Sequence, residues 1–235
     1  MISHKHKCIF IHIPKVAGQS IETSFLNDLN LNWENRRPLL LMHNSEPTLG
    51  PPRLAHLLAK DYVNYNYISK ELFNDYYKFA FVRNPYSRAY SFYKYLKFSD
   101  SMSFDKFILK KFKGKFLKSK YWFLRPQYDF IYSNGKCLVD FVGRFENLEH
   151  DFKQVALKFN LEQKLPRKNI SKLTSFSKKK KFPQFKNLYF YPPFHRKSHS
   201  TDFKFSDESK QILIDFYAND FKYFKYDSNS VSPTN

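Results

Sequence analysis

The chain has 235 residues, of which 42% are hydrophobic and 20% aromatic, and this composition excludes a disordered protein. Two cysteines outside any Cys/His cluster exclude a disulfide framework and a zinc site, and they favour a reducing compartment. The net charge of +19 predicts that the protein binds a polyanion. It does not distinguish among nucleic acid, anionic lipid, an acidic polysaccharide and a phosphate-rich ligand.

We predict one domain over residues 1–227 and a disordered tail at 228–235. The apolar run near the N-terminus is shorter than the core of a signal peptide. No run approaches the roughly 18 apolar residues of a membrane-spanning helix. We therefore expect a cytoplasmic protein.

The first predicted element is a buried strand at 8–13, an apolar run interrupted only by His12. The turn PKVAGQS at 14–20 follows it, and a helix is predicted to begin near Gln19 or Ser20. The apolar stripe of this helix is Ile21, Phe25, Leu26 and Leu29. This order is typical of the first half of a βαβ unit.

The turn at 14–20 has the features of an anion site. Its backbone N–H groups can point into one concavity at a helix N-terminus, where the helix dipole favours negative charge. Gly18 allows a close approach or a positive φ, Ser20 adds a hydroxyl, and Lys15 adds a full positive charge. The N–H groups belong to Val16, Ala17, Gly18, Gln19 and Ser20. An ordinary strand-to-helix turn with a solvated lysine is the alternative interpretation.

The middle of the chain is less regular. Residues 30–53 predict a connection with one short strand at 39–42, and short helices are predicted at 54–60 and 69–76. No GxxxxGK(S/T) motif occurs anywhere, so ATP hydrolysis is not expected.

A second buried strand is predicted at 79–82, and Asn84 and Pro85 begin the helix after it. Its core stripe is Ala89, Phe92, Tyr93 and Leu96, which puts Ser87, Arg88 and Ser91 on the other side. Arg83 ends the strand with a planar set of donors, and together with the Ser91 hydroxyl it could bind a second phosphate. The alternative is that Arg83 pairs with a carboxylate and Ser91 meets solvent.

The last predicted elements are a strand within 137–146, a helix capped by Asn147 and a final helix opened by Ser206. Strands that alternate with helices predict an α/β fold with a parallel sheet. Ligands of such sheets bind beyond the carboxyl ends of the strands, so Lys15 and Arg83 could share one site.

The two turns together give the chain a family resemblance. The order of strand, PKVAGQS and helix, followed by FVRNPYSRAYS at 81–91, resembles the sulfotransferases, specifically the branch of Golgi-type carbohydrate sulfotransferases and their bacterial relatives. Further similar segments are HLLA at 56–59, QYDFI at 127–131, LVDFVGRFENLEHDF at 138–152, LPRKNIS at 165–171 and the ending FYANDFKYFKYD. The resemblance implies a P-loop-NTPase-like three-layer fold with a central parallel sheet flanked by helices.

The resemblance also implies an enzyme that uses 3′-phosphoadenosine 5′-phosphosulfate (PAPS) as its sulfuryl donor, without a metal. The first motif, which contains Lys15, would bind the 5′-phosphosulfate, and Arg83 and Ser91 would bind the 3′-phosphate. Asn169 and Ser171 would complete the phosphate site, although a plain loop is the alternative there.

Catalysis by this scheme needs charge neutralisation and a base. Lys15 would neutralise the bridging oxygen as the bond to sulfur breaks. His56, in the HLLA segment, would accept the proton of the acceptor hydroxyl, and His43 is the second candidate for this base.

The predicted acceptor is a carbohydrate hydroxyl, with an acidic polysaccharide or oligosaccharide as one option. The lysine-rich segments 110–120 and 178–181 could bind such a glycan or could be solvated faces. Peripheral contact with a membrane also fits the charge, and no nucleic-acid partner is expected. The alternative function is a basic, aromatic-rich nucleic-acid-binding protein, which explains the charge but not the two turns.

Overall fold

A computed structural model describes residues 1–166, 203 and 205–230. The strands are β1 Ile2–Ser3, β2 Cys8–Ile11, β3 Tyr77–Val82, β4 Tyr132–Ser133, β5 Lys136–Cys137 and β6 Phe141–Arg144. The α-helices are α1 Gly18–Asp28, α2 Asp61–Asn64, α3 Lys70–Asp75, α4 Pro85–Tyr95, α5 Phe104–Lys111, α6 Gly114–Leu124, α7 Tyr128–Ile131, α8 Leu148–Phe159, α9 Asp207–Phe216 and α10 Ala218–Tyr223. Short 3-10 turns lie at Arg37–Leu39, Pro47–Leu49, Leu54–His56, Phe98–Asp100 and Phe145–Asn147.

The central sheet has the strand order β1-β2-β3-β6. Strand β3 pairs in parallel with β2 on one side and with β6 on the other, while β1 is an antiparallel edge strand. Both parallel neighbours of β3 therefore end at the same edge of the sheet as β3 itself. This mixed α/β architecture confirms the predicted class of a largely parallel sheet flanked by helices, and the P-loop-NTPase-like topology stays a prediction.

Aromatic side chains join α1 and α8 to one face of the sheet. Phe10 and Phe79 are neighbours in register, and their ring centroids lie 5.0 Å apart. Phe25 of α1 stacks 6.0 Å from Phe79, and Phe159 of α8 lies 6.2 Å from the same ring. Full burial of Phe10, Phe25 and Phe79, each worth about 1.5–3 kcal/mol, holds α1 against the sheet.

A second hydrophobic cluster packs α4 against the helices that follow it. Its buried members include Tyr86, Tyr93, Phe107, Leu213 and Tyr217, from α4, α5 and α9 with the residue that joins α9 to α10. The predicted caps of two of these helices are confirmed, because the Asn84 side chain accepts from two α4 amides and Ser206 accepts from the amide of Ser209.

The connection at 30–60 differs from its prediction. A strand at 39–42 does not form, because Leu40 adopts a left-handed φ of 61° after a 3-10 turn. The helix predicted at 54–60 is only the 3-10 turn that ends at His56, since Leu57 is extended and Ala59 donates its N–H to the carbonyl of Phe130 at 2.7 Å. Tertiary contacts override the local pattern here.

The third predicted strand is also shorter than expected. Only Phe141–Arg144 joins the sheet, while Cys137 belongs to the separate β4–β5 hairpin. Among the described residues, no helix has the length and apolar character needed to cross a membrane.

Candidate active site

The turn between β2 and α1 has an unusual backbone. Lys15 and Ala17 both have positive φ angles, of 73° and 66°, although neither is glycine. Left-handed conformations cost an L-residue about 1–2 kcal/mol each and concentrate at functional sites. The amides of Val16, Ala17 and Gly18 donate to no acceptor in the described residues, and amides around such residues form concave anion sites. The predicted anion turn therefore has a suitable shape.

Gly18 is required by close packing rather than by its φ angle. A Cβ atom there would lie 2.0 Å from Nε2 of His12, whereas the positive φ angles belong to Lys15 and Ala17. The His12 ring is buried, and its Nδ1 donates to the Glu22 carboxylate at 2.6 Å. This pair lies directly against the turn, and the sequence pattern did not indicate Glu22.

The structure brings the two predicted cations together at the carboxyl edge of the sheet. Arg83 follows β3, and its Nη1 donates to the backbone carbonyl of Lys15 at 3.4 Å. Within the described ranges, neither side chain has a carboxylate within 4.0 Å. Burial lowers the pKa of Lys15 to about 8, with the charge of Arg83 as a second cause, and burial lowers the pKa of Arg83 to about 10. A bound anion would relieve both effects.

Arg83 is held in place from several sides. Its Nε donates to the hydroxyl of Ser87 at 2.8 Å, and its guanidinium carbon lies 4.0 Å from the centre of the Phe145 ring. The buried Gln127 side chain accepts from the Arg83 amide at 2.8 Å and donates to the Arg83 carbonyl at 2.7 Å. Sequence reasoning found QYDFI only as a similar segment and missed the contact of its first residue.

Ser91 lies on the face of α4 that connects the two cations. Ser87, Ser91 and Tyr95 are four residues apart, so they occupy successive turns of one helix face. Ser87 contacts Arg83, and the Tyr95 ring centre lies 4.0 Å from the Lys15 ammonium. Ser91 is therefore one helical turn from each of these two contacts, and its binding of a phosphate stays a prediction.

His56 lies beside the turn, in a well-defined tautomer. Its Nδ1 donates to the backbone carbonyl of His12 at 2.9 Å, so Nδ1 carries the proton and Nε2 carries the lone pair. Nε2 has no hydrogen-bond partner in the described residues. The side chain is 6% exposed, and burial, followed by the charge of His12, places the pKa of His56 well below its ordinary value. The imidazole is therefore neutral at pH 7.

Arg88 corrects one sequence prediction. The helical pattern put it on the side away from the core, but it is fully buried. Its Nε donates to the carbonyl of Pro14 at 3.0 Å and its Nη1 donates to the carbonyl of Arg125 at 3.1 Å. Arg88 thereby ties α4 to the residue before Lys15, and only the tertiary fold supplies these carbonyls.

The remaining predicted residues have different placements. His43 is exposed, and its backbone forms an isolated bridge with Arg53. The Ser20 amide, predicted to donate to an anion, instead donates to the carbonyl of Ala17 at 2.9 Å, and the role of the Ser20 hydroxyl stays a prediction. Gln19 is half-buried in the first turn of α1. Asn169, Ser171 and the lysine run 178–181 lie outside the described residues.

Comparison with known proteins decides the family. A family model described as "Sulfotransferase family" matches residues 1–227. The chain belongs to the sulfotransferase family. An uncharacterized protein of Archaeoglobus fulgidus is similar to this sulfotransferase, with 38% identity over 103 residues that cover 43% of this chain and 81% of that protein. No solved structure matches the chain.

Proposed function

We propose that this sulfotransferase moves a sulfuryl group from PAPS to a hydroxyl of a carbohydrate. The observation that carries the proposal is the pair Lys15 and Arg83, two partly buried cations on neighbouring strand ends, neither of which has a carboxylate within 4.0 Å in the described residues. A donor with phosphate groups at both ends of its adenosine requires two such cationic positions. The family match supports the transferred group, and the motif resemblance supports the donor and the acceptor class.

Two groups of residues would bind the two ends of the donor. The turn amides of Val16, Ala17 and Gly18, with Lys15, suit the end that carries the sulfuryl group, because a helix N-terminus and an ammonium both favour anions. Arg83 and Ser91 suit the 3′-phosphate, since a guanidinium offers paired donors to phosphate oxygens. The donor itself supplies the sulfuryl group and leaves as adenosine 3′,5′-bisphosphate.

The chemical step needs neutralisation on one side and proton removal on the other. Lys15 and the turn amides would stabilise the negative charge that develops on the leaving phosphate oxygen; loss of one such donor typically costs about 2.7–4 kcal/mol. On the other side, the acceptor oxygen forms its bond to sulfur while its proton passes to Nε2 of His56. The Nδ1 bond to His12 keeps the Nε2 lone pair available for that proton.

Calorimetry with two nucleotides tests this assignment. Lys15→Ala should weaken both adenosine 3′,5′-bisphosphate and adenosine 5′-monophosphate, since both have the 5′-phosphate. Arg83→Ala should weaken the bisphosphate about 10- to 100-fold, as loss of a charged hydrogen bond worth about 1.5–3 kcal/mol predicts, and should leave the monophosphate nearly unchanged.

The control is Lys153→Ala, which removes an exposed lysine of α8 and should change neither affinity. Unchanged bisphosphate affinity in either site variant would remove the basis of the proposal. Equal losses for both nucleotides in Arg83→Ala would contradict the assignment of Arg83 to the 3′ end.

A further inference from the structure

Helix α6 presents a stripe of two lysines and a tryptophan. Lys115, Lys118 and Trp122 are spaced by three and four residues, so they share one helix face. Both lysines are exposed, and no carboxylate of the described residues pairs with either of them. At a rise of about 1.5 Å per residue the stripe extends along about 10 Å of the helix. Its two positive charges are thus available to an anionic ligand.

The stripe leads to the proposed base. The Trp122 ring centre lies 6.0 Å from the ring centre of His56, and Trp122 is only half-buried. Phe123, the next residue, packs 5.3 Å from Trp122 and also 6.0 Å from His56, and it fixes the position of the tryptophan. The stripe of α6 therefore ends at a ring that lies beside His56.

The aromatic contacts continue from Phe123 through Tyr95 to Lys15. Phe123 lies 5.6 Å from Tyr95, whose ring contacts the Lys15 ammonium at 4.0 Å. Tyr95 is 50% exposed. The wall formed by Trp122, Phe123 and Tyr95 therefore connects the proposed base with the lysine of the anion turn, which are the two groups between which an acceptor hydroxyl must lie.

We propose that α6 binds the acceptor and that the acceptor is an acidic saccharide. Its carboxylate or sulfate groups pair with Lys115 and Lys118, and one sugar ring lies on Trp122, so that the reacting hydroxyl reaches His56. A pyranose ring has a face of C–H groups that packs on an aromatic ring, and its anionic substituents complement the lysines. This inference rests on the proposed function, which it makes more specific.

The test measures binding of one defined saccharide to the full chain. The probe is an unsulfated chondroitin hexasaccharide, and its carboxyl-reduced form is the neutral counterpart. The chain has only two tryptophans, so a Trp33→Phe background leaves Trp122 as the single fluorescence reporter. Titrations are run with Lys115 and Lys118 intact, with both changed to Gln, and with the control pair Lys153→Gln and Lys164→Gln.

We expect the hexasaccharide to change the Trp122 emission and the carboxyl-reduced form to bind at least tenfold more weakly. The double variant of α6 should lose at least tenfold in affinity, while the control pair, two exposed lysines outside α6, should stay within twofold of wild type. All these variants should bind adenosine 3′,5′-bisphosphate as wild type does.

Three results would overturn the inference: no binding of the hexasaccharide, equal losses in the α6 and control variants, or tighter binding of a single-stranded oligonucleotide through the same two lysines. The proposed function fails separately. Unchanged bisphosphate affinity in the Lys15 or Arg83 variants would contradict it, and those titrations do not involve α6.

Discussion

Lys15 is a charged residue that the fold keeps partly out of water next to a second cation. Burial and Arg83 lower the pKa of its ammonium to about 8, so a substantial fraction of the free protein loses this charge in mildly alkaline solution. A phosphate that binds beside it favours the protonated form. Binding above pH 8 must therefore be coupled to proton uptake.

The pH dependence of bisphosphate affinity should show this coupling. Near pH 7 Lys15 is mostly protonated and contributes little slope, and above about pH 7 the phosphates, whose second pKa is about 6, are almost fully charged. From pH 8 upward the affinity should fall, by up to about tenfold per pH unit. In Lys15→Arg the charge persists and the curve should stay nearly flat from pH 7 to 9. An equal fall in that variant would show that another group titrates.

His56, the proposed base, has a tautomer and a pKa that depend on its buried surroundings. The hydrogen bond from its ring Nδ1 to the carbonyl of His12 selects the tautomer with a basic Nε2. Because the pKa of His56 is lowered, the acidic limb of a pH–rate profile should lie below the ordinary histidine value of about 6.5.

The variant His56→Asn separates the base from the structural hydrogen bond. The asparagine amide can still donate to the His12 carbonyl, but it provides no basic nitrogen at the Nε2 position. Transfer should fall by about 10²- to 10⁴-fold, the usual contribution of a general base, while bisphosphate affinity should stay at the wild-type value. Turnover near wild type would show that another group, such as His43, accepts the proton.

At the scale of elements, the turn between β2 and α1 depends on one close contact. Gly18 leaves room for the His12 ring, and His12 in turn pairs with Glu22 of α1. A Cβ at position 18 must displace a ring that is held by a buried carboxylate. The position of the anion turn is therefore coupled to the core beneath it.

Gly18→Ala should lower the free energy of unfolding by about 1–3 kcal/mol, the usual cost of overpacking, and should weaken bisphosphate binding. Chemical denaturation measures the first effect. A double-mutant cycle with His12→Ala identifies its source, because the alanine at 18 should cost little once the ring is absent. The same cost in both backgrounds would mean that the contact with His12 is not the cause.

The elements around the site were largely predictable because their determinants are local. An apolar run followed by a proline marks β2, and Asn84 with Pro85 marks the start of α4. The positive φ angles of Lys15 and Ala17 were not predictable, since neither residue type favours them. The buried Arg88 was also missed, because the carbonyls that bind it come from distant parts of the chain.

At the scale of the whole molecule, the parallel sheet explains why two motifs 68 residues apart form one site. Strands β2 and β3 are neighbours that end at the same edge, so Lys15 and Arg83 meet there. The net charge of +19 raises the encounter rate with any anion. A nucleic-acid-binding protein would have the same property. Charge alone does not distinguish the two functions, and our proposal of a doubly phosphorylated adenosine donor therefore rests on the paired cations.

Incubation of the protein with sulfur-labelled PAPS and a panel of saccharides, followed by mass analysis of the products, separates these functions. We predict that label appears on a saccharide hydroxyl with release of adenosine 3′,5′-bisphosphate, and that Lys15→Ala abolishes the transfer while Lys153→Ala does not. No transfer to any saccharide, or transfer by Lys15→Ala at the wild-type rate, would contradict the proposal that Lys15 serves sulfuryl transfer to a carbohydrate.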